Sequence, residues 1–318
     1  MRRTRPVLAA LAAAALLATA ACTAEEAPIG PPAPPAAEGS AAAPAPVDTS
    51  CNPRASLRPS GALPAPGRMP AGSQMAKIRE NGRLVLGTSQ DTLLFSSRNP
   101  FTGKVEGFDV DMGKQIAKAI FGDPEKLQIK VVPRPERTNW VRDGKVDLVI
   151  STMTTNCARR KEVDFSTVYF ETGQRVLVAK DSIVESIDDL DRQKVCAASG
   201  STSLENIEKQ PGEPVAVGKA SFGECLVAFQ QNEVAAISTD DTILAGLAAQ
   251  DPYAKVVGDR FTEEPYAIAI SKEHPELTRF VNQVLERSRA DGTWAATYKR
   301  WLGATGAVPP PPPAAQYR

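Results

Sequence analysis

Two apolar runs in the chain are each followed by polar side chains, a pattern that predicts a ligand site at the edge of a sheet. Residues 146–150 are mostly apolar and β-branched, which is typical of a buried parallel strand. The hydroxyls of Ser151, Thr152 and Thr154 follow, and Arg159 comes after them. Ligands of open α/β sheets bind beyond the carboxyl ends of the strands, and a guanidinium can hold two oxygens of a carboxylate or phosphate. The alternative is a polar turn that leads into a solvated basic helix start.

Strand and helix patterns alternate along the middle of the chain, which predicts an α/β fold. Residues 83–88 form a second apolar run, and Gln90 and Asp91 follow it. Residues 107–120 place apolar side chains at helical spacing behind two acidic residues, which favour the dipole of a helix start. Further strand and helix patterns lie at residues 194–198, from 203, and at 225–229, 234–237 and 242–247.

Length and charge narrow the class of protein. A chain of 318 residues can hold two domains, each with its own core. Lys and Arg together number 37, as do Asp and Glu, and this balance argues against a nucleic-acid-binding protein. His274 is the only histidine, and the cysteines lack the spacing of metal ligands. We therefore expect no metal and no cofactor, and an enzyme using a Cys–His pair is a poor hypothesis.

The two ends of the chain differ in composition from its middle. Residues 1–21 combine a basic start with a short apolar run, which predicts an export signal. Residues 19–22 resemble a bacterial lipobox, so we expect Cys22 to be lipidated and to anchor the protein outside the cytoplasmic membrane; ordinary cleavage that leaves a free thiol is the alternative. Residues 22–72 and 304–318 are rich in Ala and Pro, which predicts a linker and a disordered tail.

Four cysteines remain in this exported chain once Cys22 is set aside. They are Cys51, Cys157, Cys196 and Cys225. An even number in an oxidising compartment makes disulfides plausible, and four cysteines allow three connectivities.

Three motifs in order carry a family resemblance. Residues 107–111, Gly-Phe-Asp-Val-Asp, are similar to a signature of the polar amino-acid family of extracellular solute-binding proteins, the capture subunits of ATP-driven importers. Residues 146–166, with their Ser/Thr cluster and Arg-Arg-Lys, and residues 291–303, Asp-Gly-Thr-Trp onwards, match the same family. The resemblance covers about residues 76–303, and three ordered motifs are far more specific than one.

The resemblance implies a two-lobe, periplasmic-binding-protein-like α/β fold of type II, with a mostly parallel central sheet in each lobe and a two-strand hinge. Lobe 1 would comprise residues 76–170 and 267–303, and lobe 2 residues 171–266. Cys196 and Cys225 would both lie in lobe 2, so we expect them to pair. Cys51 would then pair with Cys157.

The resemblance also implies residues for the α-carboxylate of an amino acid. In the turn after residue 150 these are Arg159 and Thr154, with further contacts from Ser151 and Thr152. In lobe 2 the Ser-rich turn at residues 199–203 would approach the same group through its backbone N–H donors, where an N-cap alone is the alternative. Its candidates are Thr202 and Ser201.

The remaining ligand groups have their own candidates by resemblance. Asp241 matches the aspartate that binds the ligand ammonium, although Asp240 is its direct neighbour. Arg137 matches an arginine that binds the side-chain carboxylate in glutamate- and aspartate-binding members. A buried cation without an anion costs about 3–5 kcal/mol, so such an arginine favours an acidic ligand over a neutral one. Gln90 and Asp91 follow the first strand and are also placed at the ligand.

We accordingly predict a monomeric binding protein that delivers glutamate or aspartate to the permease of an ABC importer, with glutamine and asparagine as the other ligands left open. One alternative is a sensor that reports acidic amino acids or glutamine to a membrane partner, because both roles use ligand-driven closure. The other is an exported cyclohexadienyl-type dehydratase, because one fold supports several functions.

Overall fold

The protein is described from a computed structural model over residues 51–303 and 309–318. In these residues the helices are α1 (Gln74–Glu80), α2 (Phe108–Phe121), α3 (Arg137–Arg142), α4 (Cys157–Glu162), α5 (Thr202–Ile207), α6 (Phe222–Gln230), α7 (Asp241–Ala248), α8 (Pro275–Ala290) and α9 (Thr293–Leu302). Short 3-10 helices occupy Arg134–Glu136 and Ile187–Asp189. Cys22 and the predicted export signal lie outside the described residues.

In the described part of the chain the strands build five sheets, of which two have five strands each. They are β1 (Ala55–Ser56), β2 (Leu84–Thr88), β3 (Asp91–Thr92), β4 (Ser96–Arg98), β5 (Val105–Glu106), β6 (Leu127–Val131), β7 (Leu148–Val149), β8 (Asp164–Phe165), β9 (Phe170–Thr172), β10 (Gln174–Ala179), β11 (Lys194–Ala198), β12 (Val215–Lys219), β13 (Ala236–Asp240), β14 (Ala254–Val257), β15 (Glu264–Tyr266), β16 (Ala269–Ile270) and β17 (Gln316–Tyr317).

Lobe 1 is built on the sheet β6-β2-β7-β16-β8. Because β16 is antiparallel to both of its neighbours, the other four strands point the same way. Successive strand residues face opposite sides of a sheet. Leu148 accordingly belongs to the core formed with α2, α8 and α9, whereas Val149 packs in the second core with Val141 of α3. Helices on both faces bury the sheet, so its open strand ends remain the place for a ligand.

Lobe 2 is built on the sheet β12-β11-β13-β10-β14, again with a single strand, β10, running against the other four. Helices α5, α6 and α7 pack on it, and Cys196 of β11 is joined to Cys225 of α6 by a disulfide. The α/β class with a mostly parallel sheet in each lobe, expected from the sequence, is therefore confirmed.

Two strands connect the lobes. Strands β9 and β15 pair in antiparallel fashion, with Phe170 opposite Tyr266 and Thr172 opposite Glu264. The side chain of Trp294 on α9 donates to the Tyr169 carbonyl at 2.7 Å, directly before β9. This pair is the hinge of the molecule.

The described terminal segments are packed on the body, which differs from the linker and disordered tail predicted over residues 22–72 and 304–318. Strand β1 pairs in parallel with β17, and Cys51 forms a disulfide with Cys157. Arg54 forms ion pairs with Glu171 of β9 at 2.5 Å and with Glu263 at 2.9 Å. Composition predicted disorder because it averages over the segment, whereas the disulfide and a few specific side chains hold residues 51–58 against the hinge.

Both expected disulfides are thus present. Within residues 51–303 and 309–318, no helix combines the length and apolarity needed to cross a membrane. The same residues contain no group of three or more His, Cys, Asp and Glu side chains arranged to hold a metal ion.

Candidate functional site

A small cavity of about 10 Å³ lies between the two lobes, on the side where the central strands of both sheets end. Lobe 1 contributes a wall of cations and hydroxyls: Arg134, Arg137, Thr152, Thr154 and Arg159. Lobe 2 contributes hydroxyls, one carboxyl group and two apolar side chains: Ser201, Thr202, Ser203, Phe222, Thr239, Asp240 and Ile243. The predicted polar turn and the Ser-rich turn therefore face each other across one enclosure.

The turn after β7 owes its shape to a buried carboxyl group. The backbone N–H of Thr152 donates to Asp109 Oδ2 at 2.7 Å, and Tyr169 donates its O–H to Asp109 Oδ1 at 2.7 Å. Thr152 has a φ of 41°, an uncommon left-handed conformation for a β-branched residue. Burial raises the pKa of Asp109 to about 7. Asp109, the first acid of the 107–111 motif, thereby supports the cavity from behind without lining it.

Arg159 reaches the cavity from the first turns of α4. Asn156 caps this helix, because its Oδ1 accepts from the Arg159 backbone N–H at 2.8 Å. The guanidinium donates to the Thr154 carbonyl at 2.6 Å and to the Gly200 carbonyl of lobe 2 at 3.1 Å. Burial lowers its pKa. Both acceptors are carbonyls, so the charge of Arg159 is not neutralised by them, and N–H donors remain for an anion.

Arg137 belongs to the same wall and is almost completely buried. Its guanidinium donates to three backbone carbonyls, those of Arg134 at 2.9 Å, Ser151 at 2.9 Å and Gly200 at 3.2 Å. Burial, with the nearby Arg159 and Arg134 charges, lowers the pKa of Arg137 well below its ordinary value. This side chain joins the two lobes through their backbones.

Arg134 is a cavity residue that the sequence analysis missed. It is buried, donates to Thr92 Oγ1 at 2.8 Å and to Thr152 Oγ1 at 3.4 Å, and its Cζ lies 4.7 Å from the centroid of the Phe222 ring in lobe 2. A cation over an aromatic face across the lobes favours their contact. The only feature of the sequence that could have indicated Arg134 is its position three residues before Arg137.

On the side of lobe 2, the two serine-turn candidates have different positions. Ser201 caps α5, because its Oγ accepts from the Leu204 N–H at 3.2 Å, and it also lines the cavity. Thr202 lines the cavity and donates its hydroxyl to Glu264 Oε2 at 2.8 Å. Ser201 is therefore both the N-cap of α5 and a residue of the cavity wall.

Asp240, and not Asp241, is the carboxyl group that lines the cavity. Asp240 is 3% exposed; its Oδ2 accepts from the Tyr266 hydroxyl, and its Oδ1 has no partner among the described residues. Burial, with the nearby Glu264 adding to it, raises the pKa of Asp240 well above its ordinary value. Asp241 instead accepts from Thr172 at 2.6 Å and pairs with Arg260 at 2.7 Å. The predicted strand at residues 234–237 extends as β13 to Asp240, and α7 begins at Asp241, which accepts from Thr172 of hinge strand β9.

Three further candidates do not line the cavity. Gln90 is exposed and accepts from Arg98 Nη2 at 2.8 Å, and Asp91 belongs to the hairpin strand β3, where it pairs with Ser97. Ser151 contributes its carbonyl to Arg137, and its hydroxyl is buried without a partner among the described residues. The first two positions differ from the expectation because the chain enters the β3–β4 hairpin directly after β2, and the hairpin carries them away from the cavity.

Glu264, the first residue of hinge strand β15, was also missed. Its carboxylate is 2% exposed and accepts from Thr154 Oγ1 at 2.6 Å and from Thr202 Oγ1 at 2.8 Å. Asn206 Nδ2 and Thr262 Oγ1 donate to its other oxygen, both at 2.9 Å. A buried acid held by neutral donors has no sequence signature, because its partners come from three separate segments.

The cavity thus has cations on one lobe and, on the other, a carboxyl group with one oxygen that no described residue contacts by a hydrogen bond, which suits a small zwitterion. Comparison with known proteins agrees: the model of the bacterial extracellular solute-binding proteins, family 3, matches residues 84–304. The chain belongs to this family. Its location is therefore extracytoplasmic, and the resemblance drawn from the three motifs is confirmed.

Individual relatives of this solute-binding protein are informative. The ABC transporter glutamine-binding protein GlnH of Bacillus subtilis is 39% identical over 229 residues, 72% of this chain and 84% of the relative. The glutamate-binding protein GluB of Corynebacterium glutamicum is 31% identical over 259 residues, 77% of this chain and 87% of the relative. The crystal structure of the ancestral amino acid-binding protein AncCDT-1, a precursor of cyclohexadienyl dehydratase, has a TM-score of 0.66 and 30% identity, covering 72% of this chain and 99% of that one.

Proposed function

We propose that this protein binds a free amino acid in the interlobe cavity, glutamine in preference to glutamate, and passes it to the permease of an ABC importer. The observation that carries the proposal is that Arg159 of lobe 1 and Asp240 of lobe 2 line the same cavity. An amino acid has a carboxylate and an ammonium on one carbon atom. Opposite charges on opposite lobes let such a ligand hold the two lobes together.

The α-carboxylate is assigned to Arg159. Nη1 and Nη2 of this guanidinium each donate one N–H to a backbone carbonyl. A guanidinium has five N–H donors, so others remain for the two oxygens of a carboxylate. Arg134 and Arg137 keep the potential of this wall positive. Thr154 and Ser201 complete the surroundings of this group.

The α-ammonium is assigned to Asp240. Its Oδ1 is buried without a partner among the described residues, and an ammonium next to it favours the ionised carboxylate. Asp241 is not assigned to the ligand, because both of its carboxylate oxygens already accept from Thr172 and Arg260.

Glutamine is preferred because of Arg137. The glutamate and aspartate assignment required this guanidinium to face a side-chain carboxylate, whereas three backbone carbonyls already accept from it. A neutral amide demands no counter-ion. The name of the Bacillus subtilis relative, at 39% identity, supports the same choice, and the name of the less similar GluB marks glutamate as the competitor to test.

A thermal-shift screen with the twenty amino acids, followed by calorimetry, tests this function, because binding stabilises the folded protein by mass action. We expect glutamine to give the largest shift and R159A to abolish the shift with every amino acid. R160A is the matched control, since Arg160 donates to Pro53 and Thr155 and does not line the cavity. The proposal is wrong if no amino acid binds, or if R160A and R159A bind equally well.

Binding without turnover is part of the proposal. The relatives GlnH and GluB are named as binding proteins, and the structural relative AncCDT-1 is itself named as an amino acid-binding protein. His274 lies at the start of α8, where its Nδ1 is 4.0 Å from Glu276, in a different part of lobe 1 from the cavity. Recovery of unchanged glutamine after prolonged incubation is the expected result.

We also propose that Cys22 is lipidated after removal of residues 1–21 and anchors the protein at the outer face of the cytoplasmic membrane. Incorporation of a labelled fatty acid tests this directly. The wild-type protein should carry the label, and C22S should lack it and appear in the medium. An unlabelled wild-type protein would contradict the anchor and leave the binding function untouched.

A further inference from the structure

The terminal segment formed by residues 51–58 is attached to lobe 1. Cys51 forms its disulfide with Cys157 of α4, and Ser56 Oγ donates to the Phe165 carbonyl of β8 at 2.7 Å. Both partners belong to lobe 1, where α4 packs on β8. A segment that is fixed by a covalent bond and by a buried hydrogen bond follows the lobe that carries its partners. Residues 51–58 therefore move with lobe 1.

Glu263, in contrast, is attached to lobe 2. The two residues before it are hydrogen-bonded to Gln174, the first residue of β10. The Phe261 N–H donates to the Gln174 carbonyl, and the Gln174 N–H donates to Thr262 Oγ1, both at 3.1 Å. Strand β10 lies inside the lobe 2 sheet, between β13 and β14. Glu263 therefore moves with lobe 2, although it directly precedes hinge strand β15.

The side chain of Arg54 joins these two parts of the molecule. Its Nη2 lies 2.9 Å from Glu263 Oε2, and its Nη1 lies 2.5 Å from Oε1 of Glu171 on the other hinge strand, β9. The two carboxylates therefore lie on one side of the hinge, where like charges repel each other unless a cation lies between them. The planar guanidinium can serve both acids at once. Arg54 thus links a segment of lobe 1 to both hinge strands, from outside the cavity lining.

We propose that Arg54 is a positioning residue for ligand binding, which keeps the lobes closed through Glu171 and Glu263 and so slows the release of the ligand. This inference rests on the proposed amino-acid binding function and deepens it. The lobes are in contact in this structure, because Arg137 of lobe 1 donates to the Gly200 carbonyl of lobe 2 at 3.2 Å. The ion pair with Glu263 exists in the same arrangement. Opening rotates Glu263 with lobe 2 relative to the segment that holds Arg54, which separates the two charges. A contact made in the closed state alone favours that state.

The test is the rate at which glutamine dissociates from the full-length protein, measured by stopped-flow fluorescence. The ligand leaves after the lobes open, so R54A should raise the dissociation rate constant by about 2- to 5-fold, the effect of an exposed ion pair. The association rate constant should not decrease, as it would if the fold were damaged, because the ligand enters the open state. R58A is the matched control, since Arg58 belongs to the same segment and its Cζ lies 4.9 Å from the centroid of the Tyr317 ring. Equal dissociation rate constants in R54A and R58A would overturn the inference.

E263A provides a second variant in case R54A does not fold, because the Glu263 side chain is 85% exposed. This variant should also raise the dissociation rate constant. The double variant R54A/E263A should match R54A, since both substitutions remove the same ion pair. Effects of the two substitutions that add up in the double variant would overturn the inference.

Small-angle scattering of the ligand-free protein distinguishes a failure of this inference from a failure of the proposed function. R54A should have a larger radius of gyration than R58A, because its lobes open more often, and equal values would overturn the inference. A wild-type protein that binds no amino acid would contradict the proposed function, and the scattering comparison would then decide the role of Arg54 by itself.

Discussion

Tyr266 donates its phenolic O–H to Oδ2 of Asp240, a residue that lines the cavity, and leaves Oδ1 of the same carboxyl group without a partner among the described residues. The two residues belong to different parts of the molecule, since Tyr266 ends hinge strand β15 and Asp240 ends β13 of lobe 2. The hinge therefore orients the carboxyl group that we assign to the ligand ammonium.

Replacement of this tyrosine should weaken ligand binding. Y266F removes a hydrogen bond to a charged acceptor, worth about 1.5–3 kcal/mol, so glutamine affinity should fall about 10- to 100-fold. Y169F is the matched control, because Tyr169 also donates to a buried carboxyl group, Asp109, which does not line the cavity. Calorimetry measures the glutamine affinity of both variants. An equal loss of affinity in Y266F and Y169F would show that the hydrogen bond to Asp240 has no specific role in binding.

The stability of the protein should depend on pH through Asp109. Burial raises its pKa from 3.8 to about 7, so between these values the folded state binds a proton that the unfolded state releases. This contribution is fully present below pH 3.8 and is lost as the pH rises through 7, with a slope of up to about 1.4 kcal/mol per pH unit. Urea unfolding from pH 4 to 8 measures the slope. D109N should lack this component, and an identical slope in both proteins would refute it.

Lobe closure should depend on the absence of a side chain at Gly200. A Cβ at this position would lie 2.7 Å from the Pro135 Cα of lobe 1, and Gly200 has a φ of +73°. G200A should therefore weaken the binding of every amino acid and prevent the compaction that ligand produces in small-angle scattering. Gly144 has a φ of +67° with nothing within 4 Å, so G144A carries the backbone strain without the clash. Equal compaction in both variants would contradict this role of Gly200.

The disulfide between Cys51 and Cys157 should contribute strongly to stability, because it closes a separation of 106 residues. The chain-entropy model gives about 4.7 kcal/mol for a loop of this size, and native disulfides are worth about 2–5 kcal/mol. Urea unfolding of C51A/C157A should show a loss in this range. An unchanged free energy of unfolding would indicate that the packing of residues 51–58 is independent of the covalent bond.

The strands of the two lobes were predictable because their signal is local. Residues 146–150 are apolar and β-branched, and such a run has few places other than a buried parallel strand. The position of Arg159 followed from the same logic, since a short helix after a strand end keeps its first turns near the cavity. The two-lobe architecture was predicted from the family resemblance, which rested on the three motifs in their order.

The features that were missed depend on single-residue register or on distant partners. Whether Asp240 or Asp241 lines the cavity depends on where β13 ends. The ends of helices and strands are uncertain by one or two residues, so the sequence alone could not decide between the two acids. Glu264 is defined by four donors from three separate segments, and Arg54 by two acids at the hinge. Composition alone could not reveal these contacts, because they exist only once the chain has folded.

The most direct test compares the two neighbouring aspartates by calorimetric titration of glutamine into the wild-type protein, D240N and D241N. Loss of the charge partner of a buried ammonium costs about 3–5 kcal/mol, so D240N should bind at least about 100-fold more weakly than the wild-type protein. D241N should stay within about 5-fold, a change of roughly 1 kcal/mol. Tight binding by D240N together with loss of binding by D241N would contradict the account.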